Sequence, residues 1–259
     1  MGIITTIPIW VLFLFTLLII ALAVELGFRI GSYLHKKSKF VKESPVSVIS
    51  ASILGMLAFI LAFTFGMVAD RHSARRELVR NEASAIRTAW LRTDFLPESE
   101  RKEAIGLLKR YLDLRINAVH SSEIDQLQKS LDESVAISNQ LWKNAVVNAE
   151  RDMNSDVASL YLESLNEIIN INSLRVSFGL QIHLPEGIWL VLYILIILSM
   201  IALGYQIAIA ESERTWSTLI LALSFSIIVV LIESIDRPNS TFIPVPQQAL
   251  LDLQRSMNK

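Results

Sequence analysis

The sequence contains no cysteine, which excludes disulfide bonds, thiolate chemistry and cysteine-ligated zinc or iron–sulfur sites. It has only 9 glycines and 7 prolines, and most of the glycines lie in or beside apolar runs, so there is no Gly-rich phosphate loop. The 4 histidines are scattered without metal-ligand spacing, and no nucleophile elbow is present. These absences predict a protein that is not an enzyme, with no catalytic residues, no metal and no cofactor.

A strong excess of charge of either sign is also missing. The formal net charge of −1 gives no general attraction to nucleic acid, which we therefore exclude as a partner. What the sequence has in abundance is apolar residues, at 52% of the 259 positions. This composition favours an integral membrane protein, with the lipid bilayer as its first partner.

Four apolar runs are long enough to cross a bilayer, which takes about 20 residues. They are the run that ends at Val24, the run between Glu43 and Asp70, the run from Gly187 to Ala210 and the run from Thr215 to Ile232. A tryptophan stands near the start of the first, third and fourth runs, as is typical of membrane interfaces. No Lys or Arg precedes the first run, so we expect a retained span rather than a cleaved signal peptide.

The polar segment between the second and third runs is predicted to be helical. Val79, Ala83, Ile86 and Trp90 recur at helical spacing and form one apolar stripe. A later stripe contains Leu127, Leu131, Val135, Ile137 and Leu141. Amphipathic helices bury such stripes against one another, which predicts a helical bundle. We expect an all-α protein with a first transmembrane hairpin (1–69), an extramembrane helical bundle (70–186), a second transmembrane hairpin (187–236) and a C-terminal tail (237–259).

The stretch "AFTFGMVADRHSARRELVRNEASAIRTAW", from Ala62 to Trp90, changes from apolar to arginine-rich without a proline and without a glycine after Gly66. This predicts that the second span continues as one helix to about Leu91. Long projecting helices of this kind fit a symmetric homo-oligomer around an axis.

Small residues recur along one side of the second span, at Ala51, Gly55, Ala58, Ala62 and Gly66. One interpretation is a packing seam, because small side chains let membrane helices approach closely. The other is a pore face, where small side chains leave room for ions or water. Beside this side, Phe59, Phe63 and Met67 are spaced i, i+4 and i+8. They either face lipid or core, or form stacked apolar rings that gate by dewetting around the axis of an oligomer.

Charged residues follow the second span and the fourth. The first group consists of Arg71, Arg75, Arg76, Arg80, Glu82, Arg87 and Arg92. Its arginines form either a face in contact with solvent or lipid headgroups, or a ring of positive charge at a pore mouth that concentrates anions. After the fourth span, Asp236, Arg237 and Pro238 are interpreted as a stop signal and a charged collar.

The orientation signals conflict. The short loop after the first span contains Arg29, Lys36, Lys37, Lys39 and Lys42, and the positive-inside rule places such a loop in the cytoplasm. The insert and both termini then lie outside. The arginines that follow the second span argue for the opposite orientation. We expect the first arrangement, because positive charges in short loops influence membrane orientation more than those in long domains.

The segment "LAFTFGMVADRHSARRELVRNEASAIRTAWLRTDFLP" resembles the core motif of the bestrophin-like domain family of bacterial membrane proteins. The matching elements are Leu61-Ala62-Phe63, Arg75-Arg76, Glu82-Ala83 with Ile86 and Thr88, Leu91-Arg92 and Leu96-Pro97. "LLKRYLDLR", "HLPEGIW" and "IDRPNSTFIPV" resemble later segments of the family. The "NSTF" after Pro238 departs from the glycine-containing turn expected there.

The resemblance implies kinship to bestrophins, oligomeric anion channels with an apolar neck on the second span. On this basis we expect a homo-oligomeric channel in a bacterial inner membrane that passes chloride or other small ions and favours anions. The alternative function is a non-conducting membrane sensor or scaffold whose helical insert binds a partner or ligand.

Overall fold

A computed structural model describes residues 8–37, 43–120, 124–178, 184–210, 216–237, 240 and 242–258. Within these ranges every regular element is helical, which confirms the predicted all-helical class. The helices are α1 (Ile9–Lys37), α2 (Glu43–Arg92), α3 (Glu98–His120), α4 (Ile124–Ala149), α5 (Asp156–Val176), α6 (Glu186–Ile209), α7 (Trp216–Asp236) and α8 (Gln248–Met257), with a 3-10 turn at Thr93–Phe95.

Four of the described helices are long and apolar enough to cross a membrane, as the four apolar runs predict. They are α1, α2, α6 and the Thr218–Asp236 part of α7. The protein is therefore an integral membrane protein with four candidate spans.

Helix α2 is unbroken over 50 residues, so the prediction of one helix to about Leu91 is confirmed. The helix and its following turn end where the sequence reads Leu96-Pro97. A residue before proline is driven out of the helical region, and Leu96 is extended, with ψ of 152°. Pro97 itself precedes the first turn of α3, which carries Glu98 and Glu100, as suits the positive end of a helix dipole.

The chain forms two compact units. The first, the membrane unit, takes its described residues from Met1–Arg71 and His183–Ile243. Its apolar core includes Ile20 of α1, Leu57 of α2, Ile196 of α6 and Ile232 of α7, all fully buried. The core therefore draws on all four candidate spans.

Inside the membrane unit, α1 and α6 pack closely through glycines. A Cβ atom added at Gly31 would stand 2.7 Å from the Ala208 Cβ. One added at Gly27 would collide with the Ile201 carbonyl oxygen, and one at Gly204 with that of Val24. Close backbone approach through small residues is how membrane helices associate without a hydrophobic driving force.

The second unit, the insert unit, takes its described residues from His72–Ile182 and Pro244–Lys259. Its core contains Ile86, Leu108, Leu112, Ile168 and Leu250, each at most 2% exposed. These residues come from α2, α3, α5 and α8, so the last helix of the chain contributes to the core of this unit. The Val79, Ala83, Ile86 stripe is buried and Trp90 is half-buried, as its spacing predicts.

The stripe predicted on α4 is wrong at Val135, which is 44% exposed. Ser134 and Ser138 are buried instead, on the same side of the helix as Leu141. Their hydroxyls donate to the carbonyls of Leu131 and Val135, at 2.7 and 2.9 Å. A serine hydroxyl that donates to a backbone carbonyl of its own helix can be buried at little cost. A prediction that counts only apolar residues therefore misplaces the buried face of α4 by one residue.

Candidate functional site

The membrane part of α2 has one face that is buried in its own chain. Leu57, Leu61 and Val68 belong to the core of the membrane unit and are at most 3% exposed. Ser50 Oγ on the same face donates to the Ala202 carbonyl of α6 at 3.1 Å. This face therefore fixes α2 against its neighbours within the chain.

The opposite face of α2 carries most of the residues singled out from the sequence, and the chain leaves it uncovered. Phe59 is 69% exposed and Phe63 is 62% exposed. All five residues of the small-residue side are exposed, namely Ala51, Gly55, Ala58, Ala62 and Gly66. A Cβ atom added at Gly55 or Gly66 meets no atom within 4 Å. Met67 differs, since it is half-buried and packs on the core of the membrane unit.

Helix α1 offers a useful comparison, because it also has an uncovered apolar face. That face consists of large side chains, including Trp10, Leu14, Phe15, Leu18, Leu22 and Leu26, each at least 50% exposed. The two glycines of α1, by contrast, are turned inward, where Gly27 and Gly31 contact α6, while Ala21 is a small residue of α1 that is exposed. The uncovered face of α2 thus contains a row of small residues, whereas the uncovered face of α1 consists mainly of large apolar side chains.

The charged residues that flank the membrane unit are engaged with one another. Asp236 is 4% exposed and accepts the Leu184 backbone N–H, with N–O distances of 3.0 and 3.3 Å to its two oxygens. It also pairs with Arg71 at 3.5 Å. Arg237 pairs with Glu233 one turn earlier at 2.9 Å. The carboxylate of the predicted collar thus fixes the backbone just before α6, while Pro238 lies outside the described residues.

The arginines predicted as one charged face separate into different environments. Arg76, Arg80 and Arg87 are exposed. Arg75 is 6% exposed and donates its Nε–H to the Phe178 carbonyl at 3.1 Å. Arg92 is half-buried and donates to the Leu160 carbonyl and to Glu163.

Glu82 is the centre of a buried ion cluster in the insert unit and is fully withdrawn from solvent. Arg115 Nε donates to one carboxylate oxygen at 2.8 Å, and the Tyr111 hydroxyl donates to the same oxygen at 3.1 Å. Arg175 donates to the other carboxylate oxygen and also reaches Gln247 Oε1 at 3.3 Å. The cluster joins α2, α3, α5 and the segment before α8.

The composition of this cluster has electrostatic consequences. Two guanidinium groups face one carboxylate, so the group carries a net positive charge in a dry environment. Burial raises the pKa of the Tyr111 phenol well above its usual value, and the negative charge of Glu82 raises it further. The phenol therefore stays protonated and acts as a donor.

Sequence reasoning missed the partners of Glu82 because they lie far away along the chain. A signal was nevertheless present, since Glu82 falls on the apolar stripe between Val79 and Ile86. A charged residue on a buried helix face requires a buried partner of opposite charge. The close approach of α1 and α6 at Gly27, Gly31 and Gly204 was also missed, although the two α1 glycines have i, i+4 spacing.

Comparison with known proteins identifies the family of the chain and solved structures with a similar fold. A family model described as Bestrophin-like domain matches residues 10–250. A crystal structure of a membrane protein has a TM-score of 0.69 at 16% identity and covers 96% of this chain and 97% of that chain. A crystal structure of a point variant of a bacterial bestrophin homologue from Klebsiella pneumoniae has a TM-score of 0.67 at 16% identity, with the same coverage. No curated protein matches the chain. At these identities the solved structures establish a shared fold.

Proposed function

Because the chain belongs to the Bestrophin-like domain family, we propose that it forms a homo-oligomeric channel for small ions in a bacterial inner membrane. In this proposal the uncovered face of α2 lines the central axis. The four candidate spans form two membrane hairpins, and the helical insert lies between the second and third spans.

The observation that carries the proposal is the composition of the uncovered face of α2. A face that contacts only lipid gains nothing from small residues, and α1 has large apolar side chains in that position. Small residues let neighbouring copies of α2 approach closely. A cyclic oligomer would bring the same face of every copy to the axis. This supports α2 as the helix that both joins the copies and surrounds the pore.

Phe59 and Phe63 are one helical turn apart on this face. Around an axis each would form an apolar ring, and such rings restrict ion passage by dewetting. Met67 is half-buried within its own chain and would take a smaller part in the constriction. The exposed Arg76, Arg80 and Arg87 would add positive charge, which favours anions such as chloride.

The test is ion flux from liposomes that contain the purified protein, with chloride and potassium measured separately. Phe59→Ala should raise flux severalfold, because it removes one apolar ring. Phe15→Ala on α1 is the matched control, since Phe15 is also an exposed aromatic in a span, at 55% exposure. It should leave flux unchanged. Equal flux in the wild type and both variants would exclude a neck at Phe59.

The second candidate function is a non-conducting sensor or scaffold whose insert binds a ligand or partner. It is favoured by the separate apolar core of the insert unit and by the buried Glu82 cluster within it. Absence of chloride and potassium flux from folded protein, under varied voltage, pH and membrane tension, would support this function over the channel.

A further inference from the structure

An open polar groove of about 390 Å³ lies within the insert unit, between α2 and α5. Its α2 side contains Asn81, Ser84 and Thr88, and its α5 side contains Glu163 and Glu167. Arg92 lines one end. The volume falls in the range of small-molecule sites in proteins.

The charges in the groove do not cancel. Arg92 is engaged by Glu163, at 3.4 Å, and by the Leu160 carbonyl. One guanidinium thus faces two carboxylates. The Glu167 carboxylate has no hydrogen-bond or ion-pair partner among the described residues. Glu167 is exposed to solvent, so the groove offers one hydrated negative charge that no described protein group neutralises.

Hydrogen-bond acceptors stand across from this carboxylate. Thr88 Oγ1 uses its proton to donate to the Ser84 carbonyl at 3.0 Å, which leaves the oxygen's lone pairs free to accept. The side chains of Asn81 and Ser84 have no partner within the part of the chain that the structure describes. A carboxylate with neutral oxygens opposite matches a primary ammonium group, which has three N–H donors and no acceptor.

We propose that this groove binds a small organic compound with a primary ammonium group. The ammonium group contacts Glu167 and donates its remaining N–H groups to side-chain oxygens of Thr88, Ser84 or Asn81. A bare metal ion fits less well, because no group of three or more His, Asp or Glu side chains is arranged for a metal among the described residues. The proposal concerns binding to the insert unit and stands whether or not the protein conducts ions.

The probe is 4-aminobutan-1-ol, titrated into the purified full-length protein in detergent at neutral pH and constant ionic strength, with binding heat as the readout. Tetramethylammonium is the matched ligand control, since it carries the same charge but no N–H donor. We expect saturable binding of the amino alcohol and none of tetramethylammonium. Equal binding of the two would mean a general attraction of cations and would overturn the proposal.

Glu167→Gln should weaken binding by roughly tenfold or more, the effect of losing one charge-assisted hydrogen bond. Glu150→Gln is the control variant, because Glu150 is an exposed carboxylate outside the groove and its loss changes the net charge equally. Ser84→Trp, which fills the groove without changing a charge, should also abolish binding. No saturable binding to the wild type, or undiminished binding to both groove variants, would overturn the proposal.

Discussion

Glu82 and Arg115 form an ion pair of 2.8 Å that is removed from solvent, with side chains 0% and 4% exposed. They come from α2 and α3 and are 33 residues apart in the sequence. Replacing a whole buried ion pair by apolar residues is often tolerated, whereas removing one partner leaves a buried charge uncompensated. The pair is therefore a point at which the packing of the insert unit is sensitive to a single substitution.

Glu82→Gln should destabilise the insert unit by about 3–5 kcal/mol, because Arg115 and Arg175 would then be buried without a counter-charge. Chemical denaturation of the purified protein, followed by circular dichroism, measures the change. Glu77→Gln is the control on the same helix, since Glu77 is exposed, and it should change the free energy of unfolding by less than about 0.5 kcal/mol. Equal stability of the two variants would contradict a structural role for the buried pair.

Much of the fold was predictable because the length of an apolar run and the periodicity of apolar residues are local properties of the sequence. The unbroken α2 and the family were predicted and are confirmed, and the four predicted apolar runs correspond to four helices that are candidate spans. Local patterns do not identify partners that are distant in sequence. Arg175 lies 93 residues from Glu82, and no pattern in the sequence connects the two.

The candidate site was likewise predictable only in part. The sequence identifies which residues of α2 share a side, and the structure adds which side the chain itself covers. Leu57 and Leu61 are buried, whereas Phe59 and Phe63 are exposed, although all four are apolar. Hydrophobicity alone does not separate a face that packs within the chain from one that meets lipid or another copy. That distinction requires the positions of α6 and α7.

Gly204→Ala should destabilise the membrane unit by about 1–3 kcal/mol, the usual cost of overpacking. A Cβ atom at this position would collide with the Val24 carbonyl oxygen and stand 2.9 Å from the Phe28 backbone nitrogen. Backbone atoms cannot move aside as a flexible side chain can. The thermal unfolding midpoint of the protein in detergent should fall accordingly.

Gly106→Ala is the control for this prediction. Gly106 is also helical, but an added Cβ atom there meets nothing within 4 Å. Alanine is favoured over glycine inside a helix, so this variant should be equally stable or slightly more stable. If Gly204→Ala were as stable as Gly106→Ala, α1 and α6 would have room to separate, and their close contact would not limit stability.

Tyr161 provides a prediction for the pH dependence of stability. Its hydroxyl is buried without a hydrogen-bond partner among the described residues, and burial raises its pKa to about 12. The folded state therefore holds this proton more tightly than the unfolded chain, in which a tyrosine titrates near pH 10. The resulting stability is fully present below pH 10 and is lost as the pH rises towards 12.

Tyr161→Phe should remove part of the loss of stability at alkaline pH, while Tyr111 continues to contribute to that loss. At neutral pH the substitution should be neutral or slightly stabilising, because it removes a buried hydroxyl that has no partner. Unfolding free energies measured between neutral pH and about pH 11 test both statements. An unchanged alkaline slope in the variant would mean that Tyr161 titrates as it does in the unfolded chain.

Membrane orientation can be tested directly because the sequence has no cysteine, so each introduced cysteine is the only thiol. Suitable positions are Asn154 between α4 and α5, Asn258 after α8 and Lys37 at the end of α1, all of which are exposed. If the insert and the termini lie outside, a membrane-impermeant maleimide should label Asn154→Cys and Asn258→Cys in intact spheroplasts. Lys37→Cys should react only after the membrane is opened, because its loop keeps Lys36, Lys39 and Lys42 and is held in the cytoplasm. The reverse labelling pattern would place the arginines after the second span in the cytoplasm and show that they outweigh the short loop.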